Sequence, residues 1–190
     1  MGLDSVELIM DVEKHFSISI PDPEAEKAYS VGKLVDCVSK ILGIDKYDFE
    51  LRDNSFSLIK ASLERHVHVI TGFTLTSNVS DTLDFNDSTL IKSLEKDLGL
   101  ELPRLHEKGF LDGLLKQLPF FKTIDSRTIM WKRYIDIILA HNLDKLTPPI
   151  QYKSKYEVYI AIMRITVDKI GVDYLEIGLE KSFTDDLGVD

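Results

Sequence analysis

Apolar residues recur at helical spacing near the start of the chain and predict an amphipathic helix there. Its broad apolar face is carried by Val6, Leu8, Ile9, Met10, Val12 and Phe16. Asp4, Glu7 and Asp11 fall on the other face and form an acidic outer stripe. Ser5 stands at the predicted start, where a serine side chain can cap free backbone N–H groups.

A loop and further helices complete the N-terminal region. Residues 17–23 lack a helical period and contain two prolines, which favours a loop. A short helix near residues 24–27 is expected next. Ser30 is predicted to cap a helix that Gly43 ends. The core positions of this helix are Val31, Leu34, Val35, Val38, Ile41 and Leu42.

The last forty residues contain another clear helical signal. Val158, Ile162 and Ile165 share one face of a helix predicted to begin near Ser154 and to end at Gly171. Residues 172–190 are predicted to form a long acidic loop. Four apolar residues are spaced like anchors that hold this loop onto a core: Leu175, Ile177, Phe183 and Leu187.

The central residues contain a sequence similar to the first helix and its exit. Val6–Pro21 aligns without gaps with Ser88–Pro103, and this pairs Glu13 with Glu95. One interpretation is a decayed second copy, with helices at 56–66 and 127–141 as its first and last. Asp87 then occupies the position of Ser5, so we expect no modification there. Convergence of two amphipathic helices, each followed by an exit strand and a proline, explains the pattern equally well.

Composition and charge restrict the class of protein. With 190 residues, 44% of them hydrophobic and 29% charged, the chain can form one ordinary domain or two small ones, and no apolar run approaches a membrane span. The net charge of −9 is concentrated at the two ends of the chain. This distribution disfavours nucleic acid and favours protein partners with basic patches. The N-terminus lacks the pattern of a signal peptide, so a cytoplasmic location is expected.

No pattern of catalytic or metal-binding residues stands out. Cys37 is the only cysteine, which excludes an internal disulfide and a cysteine-clustered metal site. The five histidines lack metal-ligand spacing, and neither a glycine-rich phosphate loop nor a nucleophile elbow is present. We therefore expect no catalytic residues and no metal.

The two ends of the chain resemble the two halves of an acyl carrier protein. The motif Asp4-Ser5-Val6-Glu7-Leu8 and the downstream run Ile18–Asp22 are similar to the second half, in which an Asp-Ser-Leu-like motif begins the second helix of a four-helix bundle. Residues 154–190 resemble the first half, a helix and a long loop that ends in Asp-Asp-Leu-Gly-x-Asp. The reversed order implies a circularly permuted carrier. The alternative is a misassigned start codon, with the two ends belonging to separate carriers.

The resemblance implies an all-α fold. Residues 1–44 and 152–190 would together form a four-helix acyl-carrier-like bundle, with the attachment serine in the first segment. Residues 45–151 would be a central, mainly helical insertion. The carrier would hold acyl groups as thioesters on a 4′-phosphopantetheine arm attached to Ser5, beside Asp4, for fatty-acid, polyketide or related lipid biosynthesis.

The resemblance also implies partners for the acidic helix. Glu7, Asp11 and Glu13 would dock a phosphopantetheinyl transferase and acyl-processing enzymes that carry basic patches. The alternative function is an unmodified, carrier-like interaction module that docks through the same helix.

Overall fold

The computed structural model describes residues 3–67, 72–104, 128–146 and 152–189. Within these residues all regular elements are helices and no strand is present, so the predicted all-α class is confirmed. The α-helices are α1 (Leu3–Phe16), α2 (Asp22–Ala25), α3 (Val31–Leu42), α4 (Glu50–His66), α5 (Ser88–Leu98), α6 (Trp131–His141), α7 (Leu143–Leu146) and α8 (Lys155–Ile170). Single 3₁₀ turns lie at Val79–Asp81 and Tyr174–Glu176.

The chain divides into two compact units. Unit 1 consists of Met1–Leu51 together with Leu143–Asp190, and unit 2 consists of Arg52–Asn142. Unit 1 therefore contains α1, α2, α3, α7 and α8, whereas unit 2 contains most of α4 with α5 and α6.

Helix α8 is the central element of unit 1 because it packs against both α1 and α3. Its residues Val158 and Ile162 are fully buried. Leu8 and Val12 of α1 and Leu34 of α3 are buried as well. The apolar stripes predicted for these three helices therefore meet in one core.

The segment after α8 is held on unit 1 by buried side chains and by backbone hydrogen bonds. Ile177, Phe183 and Leu187 are buried, as predicted, whereas Leu175 is half-buried. An isolated antiparallel bridge joins Ser30 to Ser182, directly before α3. The segment thus crosses the N-terminal end of α3.

An aromatic cluster forms part of the core of unit 2. Trp131 and Tyr134 of α6 are fully buried, and the ring of Trp131 lies 5.2 Å from that of Phe73 between centroids. The indole N–H of Trp131 donates to Thr82 Oγ1 at 2.9 Å. The Tyr134 hydroxyl donates to the carbonyl of Pro103 at 2.9 Å, so both polar groups are satisfied.

The predicted capping serines and terminal glycines located the ends of two helices correctly. Ser30 Oγ accepts from Lys33 N at the start of α3, and Ser154 Oγ accepts from Glu157 N at the start of α8. Both helices end at a glycine with positive φ, Gly43 at 72° and Gly171 at 76°.

Other expectations need correction. Helix α1 begins at Leu3, so Ser5 is the third helical residue and not the cap that was predicted. The short helix is Asp22–Ala25, slightly earlier than expected, and α4 begins at Glu50, ahead of the predicted residue 56. The helix expected from residue 127 begins at Trp131, and residue 127 lies outside the described residues. Ile41 was predicted to be in the core but is 40% exposed.

Candidate functional site

The candidate attachment residue, Ser5, lies in the first turn of α1. Asp4 precedes it and is exposed, whereas Ser5 itself is partly exposed. The first turn of a helix presents backbone N–H groups and the positive end of the helix dipole, which together favour a negatively charged group. The position is therefore suited to a phosphate ester.

Two of the three predicted docking acids share one lysine partner. Lys169 Nζ, near the end of α8, lies 2.6 Å from Glu7 Oε2 and 3.5 Å from Asp11 Oδ2. The hydrogen bond with Glu7 is the main influence that raises the pKa of Lys169. The acidic stripe of α1 is therefore partly neutralised within unit 1.

The third acid, Glu13, has a structural contact. Its Oε1 accepts the backbone N–H of Ile20 at 2.6 Å, and Ile20 is buried. This bond fastens the segment that leaves α1. A docking role for Glu13 stays a prediction.

Two apolar residues of α1 point to solvent beside the acids, and the sequence pattern assigned them to the core. Val6 is 42% exposed and Met10 is 59% exposed. They are one helical turn apart and flank Glu7 in sequence, so they share one exposed strip. The width of the predicted apolar face could have revealed their exposure, because this face is wider than one buried stripe.

The end of α1 is anchored by an aromatic contact. The rings of Phe16 and Tyr152 lie 4.8 Å apart, and His15 Nε2 lies 2.6 Å from the Tyr152 hydroxyl. Burial is the main cause of the lowered pKa of His15, opposed by the charge of Asp144. These contacts fix α1 relative to the segment that enters α8.

No cluster of His, Cys, Asp or Glu suited to a metal ion occurs among the residues that the structure describes. In the same ranges, no helix has both the length and the apolar character needed to cross a membrane.

Comparison with curated proteins finds similarity to acyl carrier proteins. The chain is 49% identical over 42 residues to the acyl carrier protein of Akkermansia muciniphila. The matched stretch is 22% of this chain and 52% of that protein. It is 48% identical over 41 residues to the acyl carrier proteins of Porphyromonas gingivalis strains ATCC 33277 and W83. Each of these matches covers 22% of this chain and 53% of the matched protein. The chain thus spans about half the length of the curated relatives it matches.

The chain therefore contains a region similar to acyl carrier proteins. No family model matches the chain. No solved structure matches it.

Proposed function

We propose that unit 1 is an acyl carrier that holds acyl groups as thioesters on a 4′-phosphopantetheine arm attached to Ser5. The observation that carries this proposal is the similarity of 42 residues to acyl carrier proteins at 49% identity. The carrier would serve fatty-acid, polyketide or related lipid biosynthesis. The chain itself would catalyse no reaction.

The carrier is proposed to be circularly permuted. In support, unit 1 draws α1, α2 and α3 from one end of the chain and α8 with its following segment from the other. Chain ends of a domain commonly lie close together at its surface, so such a rearrangement can preserve the core. Residues 52–142 would then be the insertion.

Docking is proposed to use the exposed strip of α1. Val6 and Met10 supply exposed apolar area, and Glu7 and Asp11 supply negative charge. Lysine or arginine side chains of a transferase would replace Lys169 as the partner of the two acids. Because exposed charges are screened by salt, binding should weaken as ionic strength rises.

A second candidate function is an unmodified interaction module, and the exposed apolar residues Val6 and Met10 beside the acids favour it. The acidic and apolar strip of α1 would serve such a module equally well. A location in the cytoplasm is part of both proposals.

The decisive experiment is intact-mass analysis after co-expression with a broad-specificity phosphopantetheinyl transferase. Ser5→Ala is the test variant, and Ser88→Ala, which removes an exposed serine at the start of α5, is the matched control. A single adduct that only Ser5→Ala abolishes supports the carrier on Ser5. An adduct that persists in Ser5→Ala excludes Ser5 as the attachment residue. Folded protein without an adduct favours the interaction module.

A further inference from the structure

We infer that unit 2 is a second copy of the module that forms unit 1, in a different cyclic order and without the candidate attachment hydroxyl. Geometry that the two units share, and that does not involve Ser5, supports this relation. Three segments of unit 1 have a counterpart in unit 2, and each counterpart is related by one constant difference in residue number.

The first pair of segments is α1 and α5 with their exits. Glu13 Oε1 accepts from Ile20 N at 2.6 Å, and Glu95 Oε1 accepts from Leu102 N at 3.0 Å. Both numbers rise by 82, from 13 to 95 and from 20 to 102. Ile20 and Leu102 are both buried. A carboxylate that fastens the backbone seven residues later is not a requirement of an amphipathic helix, so convergence of pattern does not explain it.

The second pair is α3 and α6, each with the crossing segment that passes its N-terminal end, residues 172–189 for α3 and residues 72–85 for α6. An isolated antiparallel bridge lies directly before each helix, Ser30 with Ser182 and Met130 with Asn78. Three further backbone hydrogen bonds of unit 1 each have a counterpart in unit 2. Residue numbers at the start of α3 are 100 lower than their counterparts at α6, for example 31 and 131. Residue numbers in the crossing segment of unit 1 are 104 higher than their counterparts in unit 2, for example 181 and 77. The paired bonds are Val31 N to Lys181 O and Trp131 N to Ser77 O; Gly32 N to Leu179 O and Lys132 N to Leu75 O; Phe183 N to Tyr29 O and Val79 N to Ile129 O.

The third pair is α8 and α4 with the segments that follow them. The same difference of 104 relates their last residues, 170 and 66, which end the two helices. Each helix also buries a hydroxyl at the equivalent position, Thr166 and Ser62. The buried anchors of the crossing segments keep the same spacing: Ile177, Phe183 and Leu187 in unit 1, and Phe73, Val79 and Leu83 in unit 2.

The order of the segments gives the relation between the copies. Unit 1 reads α1, α3, α8 and crossing segment, whereas unit 2 reads α4, crossing segment, α5 and α6. Moving the last two parts of unit 1 to its front reproduces the order of unit 2. The copies are therefore related by a cyclic shift. Unit 2 is the copy whose segments follow one another without interruption in the chain.

The equivalence assigns a different role to unit 2. Asp87 occupies the position of Ser5, and its carboxylate caps α5 by accepting from Thr89 N at 3.1 Å and Leu90 N at 3.0 Å. Thr89 and Ser93 occupy the positions of Glu7 and Asp11. At these equivalent positions unit 2 lacks both the hydroxyl and the acids on which the proposed carrier depends, so only unit 1 would carry an arm at this position. This last consequence rests on the proposed function.

The test is an exchange of segments within the full chain. Residues 85–103 are replaced by the sequence of residues 3–21, which has the same length and places Glu13 on Glu95 and Ile20 on Leu102. The control inserts the sequence of residues 5–23 at the same place, which rotates the apolar face by about 200°. We expect the in-register exchange to keep amide exchange in the second unit at least about tenfold slower than the control does. Equal protection in the two chimeras overturns the inference.

Paired cysteines provide a measurement that does not depend on the chimeras folding. In a Cys37→Ser background, Ser30→Cys with Ser182→Cys and Asn78→Cys with Met130→Cys place cysteines at the two bridges, where opposed Cα atoms are close enough for a disulfide. The controls move one cysteine by two residues, to Glu180→Cys and Thr76→Cys. We expect both bridge pairs to oxidise and both controls to remain reduced. Closure of only one bridge pair overturns the inference. Neither test involves phosphopantetheine, so the result is independent of Ser5.

Discussion

At the scale of residues, Asp97 shows how one carboxylate joins two helices of unit 2. Its Oδ2 accepts from Arg65 at 2.8 Å and from Ser62 at 3.1 Å, both on α4. His66 Nε2 lies 3.2 Å from the same oxygen. The hydrogen bond from Arg65 is the largest cause that lowers the pKa of Asp97 from 3.8 to about 2.

The lowered pKa of Asp97 predicts an acid-dependent contribution to stability. A carboxyl with a depressed folded-state pKa stabilises the fold above its unfolded-state pKa, and this stabilisation is lost as pH falls from 3.8 towards about 2. Asp97→Asn should therefore lower the unfolding midpoint in urea at pH 6 and have a smaller effect near pH 2. Asp53→Asn, on an exposed face of α4, is the control. An equal effect of Asp97→Asn at both pH values would contradict the assignment.

Two backbones of unit 1 approach each other closely at Gly32. A Cβ at this position would lie 2.7 Å from the carbonyl oxygen of Leu179, which accepts from Gly32 N at 2.8 Å. Gly32→Ala should therefore destabilise the protein by roughly 1–3 kcal/mol, since backbone must move. Gly178→Ala is the matched control because the three atoms nearest to its Cβ would all belong to the flexible carboxylate of Glu180. Thermal unfolding of both variants checks the difference, and equal melting temperatures would contradict it.

At the scale of elements, α8 carries most of the helix packing of unit 1. Ile162 is fully buried between helices, whereas Val167 on the same helix is half-buried. Ile162→Ala should cost about 2–5 kcal/mol of unfolding free energy because it leaves a cavity in a packed core. Val167→Ala should cost clearly less. Urea denaturation measures both, and similar losses would contradict the central position of α8.

The contact between α1 and α8 also predicts an effect on docking. Lys169→Gln removes the cation shared by Glu7 and Asp11, so their full negative charge becomes available to a partner. We expect tighter binding to a basic transferase at low salt, measured by calorimetry, and a smaller gain at high salt. Lys33→Gln, which removes an exposed lysine of α3, is the charge control. The same gain in this control would indicate only a net-charge effect.

At the scale of the whole molecule, the two units differ in how they depend on the C-terminal residues. Unit 1 takes α8 and its crossing segment from that end of the chain, whereas unit 2 ends at Asn142. A chain that stops at residue 150 lacks the buried faces of α8 and should lose the fold of unit 1. Unit 2 should remain folded.

Hydrogen exchange on the shortened chain measures this dependence. Amides of α3 should lose protection, and amides of α6 should retain it. The full chain is the control. A shortened chain in which α3 stays as protected as in the full chain would exclude the proposed circular permutation.

The sequence predicted elements best where the signals are local. Ser30 and Gly43 delimit α3 because a cap and a left-handed glycine act on the nearest turn. The early start of α1 and the exposure of Val6, Met10 and Ile41 were missed. Helical period identifies an apolar face but does not tell how much of that face a neighbouring helix covers.

The sequence by itself determined the all-helical class, the stripes that face the core and the acidic residues of α1. It also determined the alignment of residues 6–21 with 88–103. The tertiary structure alone decided that Lys169 pairs with both Glu7 and Asp11, that Glu13 fastens Ile20 and that the segment after α8 crosses α3. These contacts join residues that are distant in the chain or depend on the path of a loop. Local pattern cannot specify them, because they exist only once the helices have packed.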